Sequence, residues 1–196
     1  MAENEPEAVH FRAAQACDAE QIAALHASNW RRHYRGAYAD SYLDGDVLAD
    51  RLAVWSARLA DPAGSITVLA EDGDGLAGFV HVVLDEDAEW GSLVDNLHVA
   101  LPHQRTGVGT ALLTRAARGV LGAAAGPATY LWVLEQNTAA QSFYRAAGAT
   151  HVGTARASAP GGDPANLAGC PRKYRMAWPD ASAVAVRSEP GRSSSR

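Results

Sequence analysis

The chain has 196 residues, of which 47% are hydrophobic and 20% charged, and its formal net charge is −5. This length and composition predict one domain with a core of its own, and no apolar run approaches the roughly 18 residues of a membrane span. The acidic balance, without basic clusters among aromatic residues, excludes a strongly basic nucleic-acid binder.

The first 60 residues are predicted to be mainly helical. Residues 1–7 are acidic and polar, unlike a secretory signal, so we expect a disordered terminus and a cytoplasmic protein. A short strand over 9–14 leads to Asp18, which is expected to cap a helix that runs to about Trp30. A second helix is predicted over 46–60, from the apolar residues along one of its sides.

Between these two helices, aromatic residues recur at every fourth position. They are Trp30, Tyr34, Tyr38 and Tyr42. This spacing would place the four rings on one helical face, although Gly36 weakens a continuous helix.

From residue 65 the pattern becomes that of strands. Residues 65–71 and 76–84, joined by the turn DGDG, predict a β-hairpin, and a third strand is predicted over 92–99. The remaining elements are predicted as a helix over 108–121, a strand over 129–135, a helix over 137–148, and strands over 149–158 and 170–178. This order predicts an α+β layer fold with a mixed, mostly antiparallel sheet flanked by helices. One domain would cover residues 8–178, followed by a disordered tail over 179–196.

Charge is unevenly distributed along the chain. Residues 1–100 carry 6 basic and 18 acidic side chains, whereas residues 101–196 carry 11 basic and 4 acidic ones. One interpretation is that the basic half meets an anion and the acidic half a cation. The alternative is solvated surface.

The motif QRTGVG at 104–109 lies between a strand and a helix and indicates a bound phosphate. A P-loop would need lysine and Ser/Thr after Gly109, where Thr110 and Ala111 follow. The dinucleotide fingerprint would need glycine at Leu112. The remaining interpretations are an anion cradle of main-chain N–H groups at the start of a helix, which would suit a diphosphate, and an ordinary loop-to-helix junction.

Two segments together resemble the GNAT superfamily of acetyl-CoA-dependent N-acetyltransferases. The first is similar to its Q/R-x-x-G-x-G/A pyrophosphate loop, through Gln104, Gly107 and Gly109. The second is similar to its N-x-x-A-x-x-F-Y-x-x-x-G segment, through Asn137, Ala140, Phe143, Tyr144 and Gly148. Ala149 departs from the family, many members of which carry an aromatic residue there.

The resemblance implies a mixed sheet of the GNAT kind, acetyl-CoA as cosubstrate and no metal. Its implied coenzyme-binding residues are Leu97, His98, Val99, Gln104, Arg105, Thr106, Gly107, Val108, Gly109, Thr110, Asn137 and Tyr144. The strand ending at 97–99 would diverge from its neighbour, so that its backbone groups pair with the pantetheine arm. Tyr144 would donate a proton to the coenzyme sulfur.

The resemblance leaves the proton acceptor open. Asp95 lies where some members of the family carry a carboxylate base. His98 has a more suitable intrinsic pKa, but strand alternation places it on the face opposite Asp95. His33 and Glu135 are further candidates, and a reaction without any protein base also stays open.

The expected acceptor is a small-molecule primary amine, bound by Trp30, Tyr34 and Tyr38 where the family builds its acceptor pocket. The acidic half would suit a cationic or aromatic amine. The competing hypotheses are a protein N-terminus or lysine as acceptor, an idle acyl-CoA-binding regulatory domain, and a nicotinamide-binding enzyme. Neither nucleic acid nor a membrane is an expected partner, and a homodimer stays open.

Overall fold

The predicted helices and strands are present in the predicted order, and two further short helices occur among them. The computed structural model describes residues 8–186. The elements in this range are β1 (His10–Ala13), α1 (Ala19–His33), α2 (Asp40–Asp44), α3 (Val47–Ala60), β2 (Ser65–Asp72), β3 (Gly75–Asp87), β4 (Gly91–Val99), α4 (Val108–Ala123), β5 (Thr129–Leu134), α5 (Thr138–Ala146), β6 (Thr150–Arg156), β7 (Arg172–Trp178) and α6 (Ser182–Ala185). None of these helices is long and apolar enough to cross a bilayer.

The strands form one sheet in the order β1–β2–β3–β4–β5–β7–β6. Every neighbouring pair is antiparallel except β4 and β5, which are parallel because α4 carries the chain from one to the other. The prediction of a mixed, mostly antiparallel sheet flanked by helices is therefore confirmed.

The parallel strands β4 and β5 separate soon after they begin. Only Ser92 with Thr129 and Leu93 with Tyr130 are paired. On its other side β4 is bulged: His81 of β3 pairs with Asn96, and Val82 pairs with Val94, so Asp95 is an extra residue. A bulge bends its strand, and here it lies where β4 leaves β5. The open edge of β4 faces the resulting gap.

Alternating side chains of β3 show that helices cover both faces of the sheet. Phe79 packs with Ile22 of α1 and Trp55 of α3. Val80 belongs to a separate cluster with Leu112 of α4, which also contains Tyr144 of α5. The gap between β4 and β5 therefore opens between α1 on one face and α4 and α5 on the other.

The aromatic residues after α1 do not share one helix. Helix α1 ends at His33, and Gly36 follows with a φ of +82°, a conformation that favours glycine. The rings nevertheless pack together, with centroids 5.3 Å apart for Trp30 and Tyr34 and 5.0 Å apart for Trp30 and Tyr38.

The chain after Trp178 differs from its prediction. Residues 179–186 were expected to be disordered, but they include α6, and Ala181 and Val184 are buried in the cluster with α4. Thr114 and Arg118 of α4 donate side-chain hydrogen bonds to carbonyls of this segment, at 3.4 and 3.2 Å. Small apolar residues in a polar sequence gave too weak a pattern to predict this contact. The expectations for 1–7 and 187–196 lie outside the described residues.

Candidate functional site

The gap between β4 and β5 is a cavity of about 530 Å³. Its walls come from α1, β4, the loop before α4, β5 and α5. The predicted residues that line it are Tyr34, Asp95, Leu97, His98, Val99, Gln104, Arg105, Gly107, Gly109, Thr110, Asn137 and Tyr144. Two predicted loop residues do not line it: Val108 is buried in the core, and the hydroxyl of Thr106 donates to the carbonyl of His103 at 2.7 Å.

The loop before α4 has the backbone shape of an anion cradle. Arg105 and Gly107 both have positive φ, +65° and +97°. The first intrahelical bond of α4 runs from the N–H of Ala111 to the carbonyl of Gly107, at 3.0 Å. The N–H groups of Val108, Gly109 and Thr110 have no carbonyl one turn earlier, so they are left to the cavity or to solvent.

Gly109 lies where the start of α4 comes close to both α5 and β4. A Cβ at this position would lie 3.5 Å from a methyl group of Val99 and 3.6 Å from the ring of Phe143, which are ordinary contacts. The backbone therefore has room for one methyl group, and a larger side chain would press on Val99 and Phe143, which line the cavity.

The open edge of β4 presents backbone groups to the cavity. The N–H of Ala100 donates to the carbonyl of Ala77 in β3, so alternation directs the backbone groups of Leu97 and Val99 away from β3. The carbonyl of Val99 already accepts two side-chain bonds, from Asn29 at 3.2 Å and Gln104 at 3.3 Å. The free groups at this edge are both groups of Leu97 and the N–H of Val99.

Helix α5 brings Asn137 and Tyr144 to the cavity. The side chain of Asn137 caps the helix by accepting from the N–H of Ala140 at 3.1 Å. The hydroxyl of Tyr144 has no hydrogen-bond partner within residues 8–186, and burial raises the pKa of this phenol well above its usual value. Tyr144 is therefore a neutral donor at physiological pH.

Asp95 lines the cavity as half of an ion pair. Its Oδ2 is 2.7 Å from a guanidinium nitrogen of Arg58 and accepts from the amide of Asn96 at 2.7 Å. Because Asp95 is the bulged residue, it shares a face with Asn96 and His98. The expectation that Asp95 and His98 lie on opposite faces is wrong, since it assumed regular alternation.

The other candidate bases differ in their surroundings. Burial, with a smaller contribution from the charge of His33, lowers the pKa of His98 to about 3, and the amide of Asn29 lies 3.4 Å from its Nδ1. Burial also lowers the pKa of His33, which lines the cavity. Glu135 lies outside the cavity, where it accepts from Tyr174 and pairs with Arg172 at 3.9 Å.

Of the predicted acceptor residues, only Tyr34 lines the cavity. Trp30 and Tyr38 are buried in a cluster behind it, together with Tyr42. Sequence reasoning missed Asn29 and Trp132, which line the cavity. Asn29 had one signal, a polar residue on the apolar side of α1. Trp132 had none, because buried strands commonly carry aromatic residues.

Within residues 8–186 no three His, Cys, Asp or Glu side chains are grouped as a metal site would require. The main chemical features of the cavity are thus a backbone anion cradle, an open strand edge, a neutral phenol and one ion-paired carboxylate. Such an arrangement can hold a phosphorylated carrier in extended form and present its end to a nucleophile.

The comparisons with known proteins agree with this description. The model of the acetyltransferase (GNAT) family matches residues 22–149, about two thirds of the chain, and the protein belongs to that family. No match was found among curated proteins.

Solved structures show the same fold. The PaiA N-acetyltransferase of Thermoplasma acidophilum, solved with coenzyme A, is 18% identical with a TM-score of 0.66, over 87% of this chain and 98% of the other. NAA60 of Arabidopsis thaliana, solved with a bisubstrate analogue, is 18% identical with a TM-score of 0.62, over 87% and 97%. A mutant spermidine N-acetyltransferase of Vibrio cholerae is 19% identical with a TM-score of 0.60, over 92% and 98%. At these identities the likeness establishes the fold.

Proposed function

We propose that this protein is an N-acetyltransferase that moves the acetyl group of acetyl-CoA to the primary amine of a small molecule by direct attack. The observation that carries the proposal is one cavity that joins the loop before α4, the open edge of β4 and the hydroxyl of Tyr144. Family membership supports the reaction class, and the similar structures solved with coenzyme A or acetyl-CoA support the cosubstrate.

The residues present fit coenzyme A. The N–H groups of Val108, Gly109 and Thr110 would hold its diphosphate, with Arg105 at the rim. The carbonyl of Leu97 and the N–H of Val99 would pair with the amides of the pantetheine arm, which leaves the N–H of Leu97 for the thioester. When bound, acetyl-CoA supplies an activated acyl group as a thioester.

Two groups of this chain would act on the thioester. A backbone N–H at Leu97 would polarise the carbonyl that the amine attacks, as the donors of an oxyanion hole do. Tyr144 would donate its proton to the sulfur as the carbon–sulfur bond breaks, because its phenol is neutral and has no hydrogen-bond partner among residues 8–186. Positioning the two reactants in one cavity supplies much of the remaining rate.

The attacking amine must lose a proton, since an alkyl ammonium has a pKa near ~10.4. We assign this proton to Asp95, which lines the cavity and is paired with Arg58 at 2.7 Å. Burial lowers the pKa of His98 to about 3, which makes it no stronger a base than an ordinary carboxylate, and the amide of Asn29 lies 3.4 Å from its Nδ1. His33 is the competing candidate, and isosteric variants of Asp95 and His33 separate the two.

We assign the acceptor end of the cavity to the part lined by Tyr34 and Trp132. Aromatic walls favour a small acceptor over an extended peptide, for which an open groove would be expected. Similar structures include a protein named for a small polyamine and one solved with a bisubstrate analogue, so the fold serves more than one acceptor class.

Thiol release from acetyl-CoA, measured with a panel of small amines and of short peptides, tests this function. Release with small amines and little with peptides supports it, whereas the reverse order indicates a protein acetyltransferase. Tight binding of acetyl-CoA without turnover on any acceptor would identify an idle binding domain. Calorimetry with NAD in place of acetyl-CoA tests for a nicotinamide-binding enzyme.

A further inference from the structure

A cationic and aromatic surface continues the acceptor end of the cavity along the sheet. We call it the Trp132 surface, and it consists of Trp90, Trp132, Lys173 and Arg175. The guanidinium of Arg175 lies 5.1 Å from the ring centroid of Trp90 and 4.7 Å from that of Trp132. The ammonium of Lys173 lies 4.7 Å from the ring centroid of Trp132. Trp132 also lines the cavity, so the surface and the cavity are continuous.

Sheet register puts these side chains on the same face as α1 and α2. Trp132 is paired with Arg175, and Leu134 is paired with Lys173, so each pair shares a face. Leu134 packs in the cluster of Trp30 and Tyr38, beside the acceptor end. The two cations are therefore held next to the place where an amine would enter.

Neither cation has a carboxylate partner in the described part of the chain. Lys173 and Arg175 form no ion pair there, and the Nε of Arg175 is buried without a hydrogen-bond partner. Asp87 forms no ion pair with Arg175 in this part of the chain, and its carboxylate accepts from the backbone N–H groups of Glu89 and Trp90. Both residues are half-buried, and two partly desolvated cations side by side are unfavourable unless an anion compensates them.

Two other arginines, both on α3, are already compensated, whereas Arg105 lines the cavity at the loop before α4. Arg58 is paired with Asp95, and Arg51 is paired with Asp50, each at 2.7 Å. The carboxylates of Asp50 and Asp95, which belong to the acidic N-terminal half, are thus already paired with arginines. An anion at this end would meet the unpaired positive charges of the Trp132 surface.

We propose that the amine acceptor carries a carboxylate, and that Lys173 and Arg175 bind this group while the amine enters the cavity. This inference rests on the proposed function, which requires an amine acceptor. The acceptor class that it names is amino acids and other amines that carry a carboxylate near the amine. Arg175 can contribute a planar, bidentate contact and Lys173 a point charge. Trp132 would hold both cations in place through their contacts with its ring.

The first experiment compares matched acceptors in the thiol-release assay. A panel of α- and ω-amino acids is paired with the corresponding carboxamides, which keep the amine and lose the negative charge. Short peptides with a free N-terminus distinguish a small acid from a protein terminus. We expect kcat/KM to be at least about tenfold higher for an acid than for its carboxamide, because charge-assisted hydrogen bonds are the strong ones. Equal rates for acids and carboxamides would overturn the inference.

The second experiment changes the protein. The double variant Lys173→Gln, Arg175→Gln should lower kcat/KM about tenfold to a hundredfold for the preferred acid and less than about threefold for its carboxamide. Arg156→Gln is the matched control, because it removes one positive charge from the exposed strand β6. An equal loss for acid and carboxamide would assign the two residues a structural role.

A binding measurement separates failure of this inference from failure of the proposed function. Calorimetry compares N-acetyl amino acids with their carboxamides on the wild-type protein, without turnover. Tighter binding of the acids, lost in the double variant, supports the carboxylate site even if no amine is acetylated. Turnover of amines with no preference for acids in either assay rejects the site and leaves the acetyltransferase function standing.

Discussion

Tyr144 allows the smallest informative change in the cavity, the removal of one oxygen atom. We predict that Tyr144→Phe lowers kcat about a hundredfold, the usual contribution of a general acid, and changes KM for acetyl-CoA less than about threefold. Stability should be nearly unchanged because the hydroxyl has no partner to lose among the described residues. Steady-state kinetics and thermal unfolding measure both effects. Tyr174→Phe, which removes a hydroxyl outside the cavity, is the control, and a fully active Tyr144→Phe would refute the acid role.

Asp95 and His33 compete for the role of the base, and their isosteric variants give different results. If Asp95 accepts the proton, Asp95→Asn lowers kcat/KM at least about tenfold across the pH range, and His33→Gln retains most activity. If His33 accepts it, the acidic limb of the pH profile lies below pH 6.5, because the pKa of His33 is lowered, and this limb disappears in His33→Gln. Thermal unfolding of Asp95→Asn checks that Arg58 tolerates the loss of its partner.

Residue roles were predictable where they depend on local sequence. The glycines of the loop and the cap formed by Asn137 follow from short-range rules, and both lie at the cavity. The relative faces of Asp95 and His98 were predicted wrongly because one bulged residue inverts the alternation that follows it. Asn29 and the Trp132 surface were missed because their contacts join elements far apart in the chain.

At the scale of elements, the junction of the loop with α4 can be tested with two side chains of different size. The structure has room for a Cβ at Gly109, so Gly109→Ala should fold and keep a near-normal KM for acetyl-CoA. Gly109→Val adds two methyl groups that would press on Val99 and Phe143 and displace the loop, and we expect KM to rise at least about tenfold through lost N–H contacts to a charged group. Kinetics and circular dichroism of both variants measure this. An equal KM in both would mean that the diphosphate binds elsewhere.

Most element boundaries were predictable from periodicity, and the exceptions have physical causes. The helix expected to begin near Asp18 does so, but the Asp18 side chain accepts from the N–H of Gln15 and pairs with Arg12 rather than capping α1. The short helix α6 is stabilised by burial of Ala181 and Val184 against α4. Such tertiary burial overrides weak local propensity, and no pattern within residues 179–186 encodes it.

At the scale of the whole molecule, the opposite charges of the two halves are partly compensated within each half. Arg12 pairs with Asp18 and Glu71, and these contacts lower the pKa of both carboxyl groups, that of Asp18 to about 2. Such pairs stabilise the fold until strongly acidic pH. A loss of stability at milder pH must then come from groups that titrate closer to neutrality in the unfolded chain, and three buried histidines are such groups.

His26, His81 and His98 are held neutral by burial, which lowers the pKa of His81 to about 4, that of His98 to about 3 and that of His26 well below 6.5. His26 accepts a hydrogen bond from the indole N–H of Trp55 at 3.0 Å, and its ring lies 4.5 Å from that of His98. In the unfolded chain each imidazole binds a proton below about pH 6.5, whereas in the folded chain it does not. The stabilisation is therefore complete above pH 6.5 and is lost as the pH falls toward 4.

We predict that the free energy of unfolding decreases by about 3 kcal/mol or more between pH 7.5 and pH 5.5, at about 1.4 kcal/mol per proton and pH unit for three histidines. Urea denaturation at a series of pH values measures this slope. His26→Gln keeps an acceptor for Trp55 and should reduce the slope by about one proton, whereas His151→Gln, at an exposed histidine, should leave it unchanged. If the slope of the wild-type free energy of unfolding corresponds to fewer than about one proton in this pH range, the folded chain binds nearly as many protons as the unfolded chain. The pKa of His98 in the folded protein would then lie near the ordinary value of about 6.5, and this residue would return as a candidate base.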